Sequence, residues 1–76
     1  MPHIDIKYFP RELSEEQKQA LANDVCEVLK KHLQSKDSAL SVALTEVAPE
    51  DWKAEVYDPV IKPALDSLVK KPGYTM

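Results

Sequence analysis

Three residues that could take part in chemistry stand at separate points of this chain: Pro2, Arg11 and Trp52. Pro2 follows Met1, which is normally trimmed when the next residue is small. Trimming would leave Pro2 with a free secondary amine, whereas an internal proline nitrogen is an inert tertiary amide. Such an amine can work as a base near neutral pH. Proline at position two is also common without any function. Whether Pro2 is catalytic must therefore be judged from the residues around it.

Arg11 and Trp52 are the only residues of their types. Arg11 follows the first predicted strand, and its planar guanidinium is suited to holding a carboxylate through two parallel hydrogen bonds. The alternative is a solvated surface charge. Trp52 can form an apolar wall beside an amine, which lowers the amine pKa because burial disfavours the charged form. The alternative for Trp52 is a filler of the core or of an interface.

The remaining candidates favour chemistry without a cofactor. His3 is adjacent to Pro2, but strand alternation puts its side chain on the opposite face. Cys26 is the only cysteine, so no disulfide framework forms within the chain, and no Cys/His cluster has zinc spacing. Gly73 is the only glycine, which excludes a phosphate-cradling loop. We expect no metal and no organic cofactor.

Hydrophobic periodicity predicts four elements. Residues 2–9 and 40–47 alternate between apolar and polar side chains, as strands do. A helix over 14–34 begins with the capping box Ser14-Glu15-Glu16-Gln17. A second helix is predicted over 58–70, with an uncertain start because Pro59 and Pro63 cannot both be first-turn residues.

Strand, helix and strand in succession predict an α/β fold built on a parallel βαβ unit, followed by a carboxy-terminal helix. With 76 residues the chain is a single domain, 1–76. One helix covers one face of a sheet, and a two-stranded sheet is marginal alone, so the edges and the open face require oligomerisation.

Composition limits the partners. Hydrophobic residues make up 43% of the chain and charged residues 30%, which argues against disorder. A net charge of −3 gives no basic surface for nucleic acid. No apolar run could span a bilayer and no signal peptide precedes the first strand, so we expect a cytoplasmic protein without a membrane partner.

Taken together, these residues resemble the small tautomerase family of 4-oxalocrotonate tautomerase type over about residues 2–52. The chain ending is similar to a subgroup of homodimeric keto–enol tautomerases that act on phenylpyruvate-like compounds. The resemblance is carried by Met-Pro before a strand, Arg11, the helix start Ser14–Lys18, Thr45-Glu46-Val47, Trp52 and the ending Lys70–Met76.

The resemblance implies roles for three residues and a departure at a fourth, Ser41. Pro2, after loss of Met1, would be the general base and acid, Arg11 would bind a substrate carboxylate, and Trp52 would shape the site and help keep the amine neutral. Many members of this type carry an arginine where Ser41 stands here. Because serine donates only a neutral hydrogen bond, a monocarboxylate with an apolar or aromatic tail fits better than a dicarboxylate such as 2-hydroxymuconate.

The predicted reaction is a proton shift between the enol and keto forms of an α-keto acid such as phenylenolpyruvate. Either a backbone amide or Ser41 would polarise the 2-oxygen. The resemblance also implies a homodimer, rather than a hexamer, in which two βαβ units share one four-stranded sheet. Two alternatives remain: hydratase, dehalogenase or decarboxylase chemistry from the same proline, or a dimeric binding module without activity.

Overall fold

The computed structural model describes residues 1–76 and contains the predicted βαβ unit. Strand β1 (His3–Tyr8) and strand β2 (Ser41–Glu46) are parallel, with α1 (Glu15–Leu33) between them in the chain. The register pairs His3 with Ser41 at one end and Tyr8 with Glu46 at the other. The fold class is therefore confirmed: a small α/β chain whose two-stranded sheet is open at both edges.

Helix α1 begins and ends as its sequence predicts. The Ser14 hydroxyl accepts a hydrogen bond from the Gln17 backbone N–H over 3.1 Å, and the Gln17 side chain accepts one from the Ser14 N–H over 2.8 Å. This reciprocal pair satisfies two N–H groups that have no partner within the helix. Gln34 ends the helix in the left-handed conformation, with φ of 55°.

The second helical segment differs from its prediction: it occupies residues 49–67 rather than 58–70. It begins with a 3₁₀ turn at Pro49–Asp51, widens to π geometry over Lys53–Ile61, and ends in short turns. Pro59 therefore lies inside the segment instead of starting it. An interior proline lacks an N–H and crowds the carbonyl four residues earlier, which a wider turn relieves. Beyond the segment, Leu68 is already extended, with ψ of 130°.

A single protomer buries little of its apolar surface. Its only buried residues are Val47, Val56 and Tyr57, which lie just after β2 and in the second helical segment. The apolar stripe of α1 remains open, since Val28 is 55% and Leu33 59% exposed. Full burial of such a side chain stabilises a protein by about 1.5–3 kcal/mol. The open sheet is completed by oligomerisation.

The two faces of β1 differ as the alternation predicts. His3, Asp5 and Lys7 are exposed, whereas the apolar side chains on the other face are half-buried. Helix α1 contacts β2. No helix in the structure has the length and apolar character needed to cross a membrane.

Candidate functional site

The residues predicted to do chemistry form two clusters at opposite ends of the sheet. Pro2 and Ser41 lie where the two strands begin, and Arg11 and Trp52 lie beyond the points where they end. Strand β1 has six residues, and at about 3.3 Å per residue it separates the clusters by roughly 20 Å. Arg11 lines two cavities in the protomer and Pro2 lines neither, so one protomer does not place the two residues in a common cleft.

At the far end of the strands lies a cleft of about 530 Å³, which we call the aromatic cleft. Apart from Arg11, its walls are aromatic or aliphatic side chains. It is lined by Tyr8, Phe9, Arg11, Trp52, Tyr74 and Met76. Phe9, Tyr74 and Met76 remain between 43% and 49% exposed, so the cleft presents apolar surface that a ligand or another protomer can cover.

Trp52 is the centre of this cleft. It follows the 3₁₀ turn after β2, which carries the indole to the end of the sheet. The ring of Phe9 meets it edge to face, with centroids 5.2 Å apart and planes at 90°. The indole N–H donates a hydrogen bond to the Tyr74 hydroxyl oxygen over 3.0 Å. Both neighbours fix the orientation of the indole, as an aromatic wall requires.

Arg11 is the only charged side chain that lines the aromatic cleft. It is held in a tight turn after β1, where its carbonyl accepts a hydrogen bond from the Leu13 N–H over 3.0 Å. None of the five ion pairs in the protein involves Arg11. The guanidinium is thus free to bind an external anion, and a carboxylate matches it in both charge and geometry.

The cluster at the start of the strands joins Pro2, His3 and Ser41. The Ser41 N–H donates to the Pro2 carbonyl over 3.3 Å, which ties residue 2 to β2. The Ser41 hydroxyl and His3 Nδ1 are hydrogen-bonded at 2.6 Å. His3 and Ser41 therefore share the exposed face of the sheet, and Ser41 has a side-chain partner that its sequence position did not reveal.

Asp5 continues this exposed face. Its carboxylate accepts hydrogen bonds from the Lys7 ammonium and, over 3.0 Å, from the Thr45 hydroxyl. Lys7 is the main reason that the pKa of Asp5 is lowered, and Thr45 adds to the effect because it also favours the charged form. Together with the bond between His3 and Ser41, these contacts fix β1 against β2 on the exposed face of the sheet.

Sequence reasoning identified Arg11 and Trp52 but missed two other walls of the aromatic cleft, Tyr74 and Met76. The available signal was the partly apolar composition of residues 74–76 after a proline and a glycine. What the sequence lacked was the direction in which this segment folds back. Phe9 was predicted only as the end of a strand, yet it packs directly on Trp52.

Comparison with known proteins identifies the family. A family model described as "Tautomerase enzyme" matches residues 2–57, which contain both clusters except for Tyr74 and Met76. The chain belongs to the tautomerase family. A tautomerase domain thus accounts for β1, α1, β2 and the turn that carries Trp52.

Relatives named "Tautomerase PptA" are similar to this tautomerase over its whole length. The protein of Pectobacterium carotovorum subsp. carotovorum is 63% identical over 75 residues, 99% of each chain. That of Cronobacter sakazakii is 62% identical over 76 residues, all of both chains. That of Shigella sonnei is 57% identical over 76 residues, again all of both chains. The segment after residue 57 is therefore shared with these relatives.

Family membership establishes the general activity. The protein is an enzyme of the isomerase class, with a function of keto–enol tautomerase type and a small-molecule substrate. Family membership therefore favours an enzyme over the alternative, a binding module without activity. The roles of Pro2, Arg11, Trp52 and Ser41 and the identity of the substrate belong to the proposal that follows.

Proposed function

We propose that this tautomerase converts the enol form of an α-keto monocarboxylate with an aromatic tail, such as phenylenolpyruvate, into its keto form. The observation that carries the proposal is the aromatic cleft, in which Arg11 is the single charge among apolar walls. A monocarboxylate places its charge on Arg11 and its ring against Trp52. A second carboxylate would meet apolar side chains without a partner, which is costly.

The proposed base and acid is the amine of Pro2 after removal of Met1. The neutral amine takes the enol hydroxyl proton while the O–H electron pair forms the C2=O double bond. The π electrons of the C2=C3 bond take a proton at C3, which the protonated Pro2 returns directly or through water. No atom is gained or lost and no oxidant is needed, so the step requires no redox cofactor.

Ser41 and His3 supply a candidate donor to the 2-oxygen of the substrate. If His3 Nδ1–H donates to the Ser41 oxygen, the hydroxyl hydrogen of Ser41 is free to donate elsewhere. A hydrogen bond to the 2-oxygen stabilises the negative charge that develops there. A backbone amide near the same place is the other candidate.

A complete site in this proposal needs two protomers. Pro2 of one protomer would lie beside Arg11 and Trp52 of another, because roughly 20 Å separates these residues along β1 within a chain. We propose a homodimer in which the free edges of two sheets meet to give four strands. Two-fold symmetry would then produce two identical sites.

Other reactions from the same proline are less well supported. Hydration, dehalogenation and decarboxylation with water addition need polar groups that activate water, whereas the walls of the aromatic cleft are apolar except for Arg11.

A cytoplasmic location stays a prediction.

A paired measurement tests the proposal. Intact mass determines whether Met1 has been removed, and absorbance then follows ketonisation of phenylenolpyruvate by the trimmed protein and by a trimmed Pro2→Ala variant. We expect turnover in the wild type and a loss of at least about a hundredfold in Pro2→Ala, on the scale of general base catalysis. Equal turnover in the two proteins would show that the secondary amine of Pro2 is not required.

A further inference from the structure

We propose that residues 74–76 determine substrate specificity, by forming the wall of the aromatic cleft that recognises the aromatic tail of the substrate. This inference rests on the proposed function, and it assigns a role to a segment outside the region that the family model matches. Two of the six residues that line the cleft, Tyr74 and Met76, come from this segment.

Tyr74 is held in the wall by side-chain contacts on both sides. Its hydroxyl oxygen accepts the hydrogen bond from the Trp52 indole over 3.0 Å. Its ring lies 5.8 Å from that of Tyr57, with planes inclined at 41°. Since Tyr57 is only 3% exposed, it is a fixed support for Tyr74. Two ring contacts and one hydrogen bond thus link four aromatic side chains in the order Phe9, Trp52, Tyr74 and Tyr57.

The backbone of the segment contributes nothing to this placement. The last backbone hydrogen bond in the chain runs from the Leu68 N–H to the Ala64 carbonyl, over 3.1 Å. Val69 is fully exposed at 107%, and in the connection to the helical segment only Leu68 and Pro72 are half-buried. The position of the wall therefore depends on the contacts of Tyr74 with Trp52 and Tyr57.

The hydrogen bond to Tyr74 also limits what Trp52 can do. Indole has a single N–H donor, and here Tyr74 occupies it. Trp52 can therefore offer the ligand only its apolar surface, which leaves the charge of the ligand to Arg11. The expected ligand carries one carboxylate and one flat apolar group, and the size of that group is set by Tyr74 and Met76.

Binding of unreactive mimics separates this inference from the proposed catalysis. Trp52 is the only tryptophan and lies in the cleft, so its fluorescence reports binding of 3-phenylpropionate and of acetate directly. We expect Tyr74→Ala to weaken binding of 3-phenylpropionate by about tenfold, the scale of an aromatic contact. Binding of acetate should change less than twofold, because Arg11 is retained.

Two milder variants keep the test valid if Tyr74→Ala does not fold. Tyr74→Phe keeps the ring and loses the bond to Trp52, and Met76→Ala trims the neighbouring wall. Each variant should weaken the binding of 3-phenylpropionate by about two- to fivefold and leave the binding of acetate unchanged. Val69→Ala, in the same stretch but outside the cleft, is the matched control and should change neither ligand.

The outcomes are distinct. Equal weakening of both ligands in the folded variants, or no weakening of 3-phenylpropionate in any of them, would overturn the role of residues 74–76. Selective weakening in a protein that fails to ketonise phenylenolpyruvate would support the wall and contradict the proposed reaction. Turnover of phenylenolpyruvate, together with unchanged specificity in the variants, would support the proposed reaction and contradict the role of residues 74–76.

Discussion

Pro2 and Arg11 flank strand β1 at its opposite ends, with six strand residues between the two clusters to which they belong. Strand β1 is roughly 20 Å long, and neither cavity lined by Arg11 includes Pro2 in the same chain. The same chain leaves both sheet edges unpaired. The proposed dimer is consistent with both facts, because in it a second protomer pairs with the sheet and brings its own Arg11 toward Pro2.

Arg11→Ala should impair substrate binding more than chemistry. Loss of a charge-assisted hydrogen bond to a carboxylate costs about 1.5–3 kcal/mol, so KM for phenylenolpyruvate should rise about 10- to 100-fold with a smaller change in kcat. Arg11→Lys should recover part of the loss, because an ammonium retains the charge but not the two parallel bonds. Lys62→Ala removes an exposed cation that has no ion pair and serves as the control. A drop in kcat alone would contradict the binding role.

Trp52→Ala should move the acid limb of the pH–kcat/KM profile toward higher pH. An apolar wall lowers the pKa of a nearby amine, so its loss raises that pKa and less of the amine is neutral at a given pH. We expect a shift of about half to one pH unit. Trp52→Phe keeps an apolar ring but loses the N–H that donates to Tyr74, and its acid limb should remain in place. If the pH–kcat/KM profiles of Trp52→Ala and Trp52→Phe coincide, the aromatic ring does not lower the pKa of the amine.

Ser41→Ala should lower kcat/KM by about two- to tenfold, which corresponds to one neutral hydrogen bond. If His3 acts by holding the Ser41 hydroxyl, His3→Ala should have a similar effect in the wild type and none in the Ser41→Ala background. Additive losses in the double variant would mean that His3 acts independently of Ser41. An unchanged kcat/KM in Ser41→Ala would indicate that a backbone amide, not Ser41, donates the hydrogen bond to the 2-oxygen of the substrate.

The stability that Asp5 provides should disappear in acid. Hydrogen bonds from Lys7 and Thr45 lower the pKa of Asp5 from its ordinary value of 3.8, so the folded protein favours the carboxylate more than the unfolded chain does. The resulting stabilisation is complete above the ordinary value and is lost as the pH falls through the lowered one. The free energy of unfolding, measured in urea, should therefore be lower for Asp5→Asn than for wild type at pH 7. The difference between the two proteins should be smaller near pH 3.

The control for this titration is Glu50→Gln, which changes an exposed carboxylate that has no ion pair. Its stability difference from wild type should be small at both pH values. An Asp5→Asn difference that is the same at pH 7 and pH 3 would show that the carboxylate charge is not what stabilises the sheet.

The βαβ unit was predictable because its signals are local. Alternation defines β1 and β2, and the capping box at Ser14 defines the start of α1 to within one residue. The second helical segment was predicted too late in the chain, at 58–70, because Pro59 and Pro63 left its start uncertain and neither of them marks it. In the structure a wide turn accommodates Pro59, and sequence periodicity of 3.6 residues does not reveal such a turn.

The candidate site was only partly predictable. Arg11 and Trp52 stood out as unique residues after strand ends, and they do share a cleft. The fold-back of Tyr74 depends on one side-chain hydrogen bond and one ring contact over long sequence distances. The bond between His3 and Ser41 follows from the register of two strands 38 residues apart. Neither relation leaves a periodic pattern in the sequence.

The most direct test of the central claim, a site shared between protomers, is to mix two inactive variants. In Pro2→Ala one protomer lacks the secondary amine of proline, and in Arg11→Ala the other lacks the carboxylate partner. A mixed pair contains one site with both residues intact and one with neither. After unfolding and joint refolding of equal amounts, random pairing should restore about a quarter of the wild-type ketonisation of phenylenolpyruvate. Activity no greater than the mean of the two separate variants would contradict the shared site.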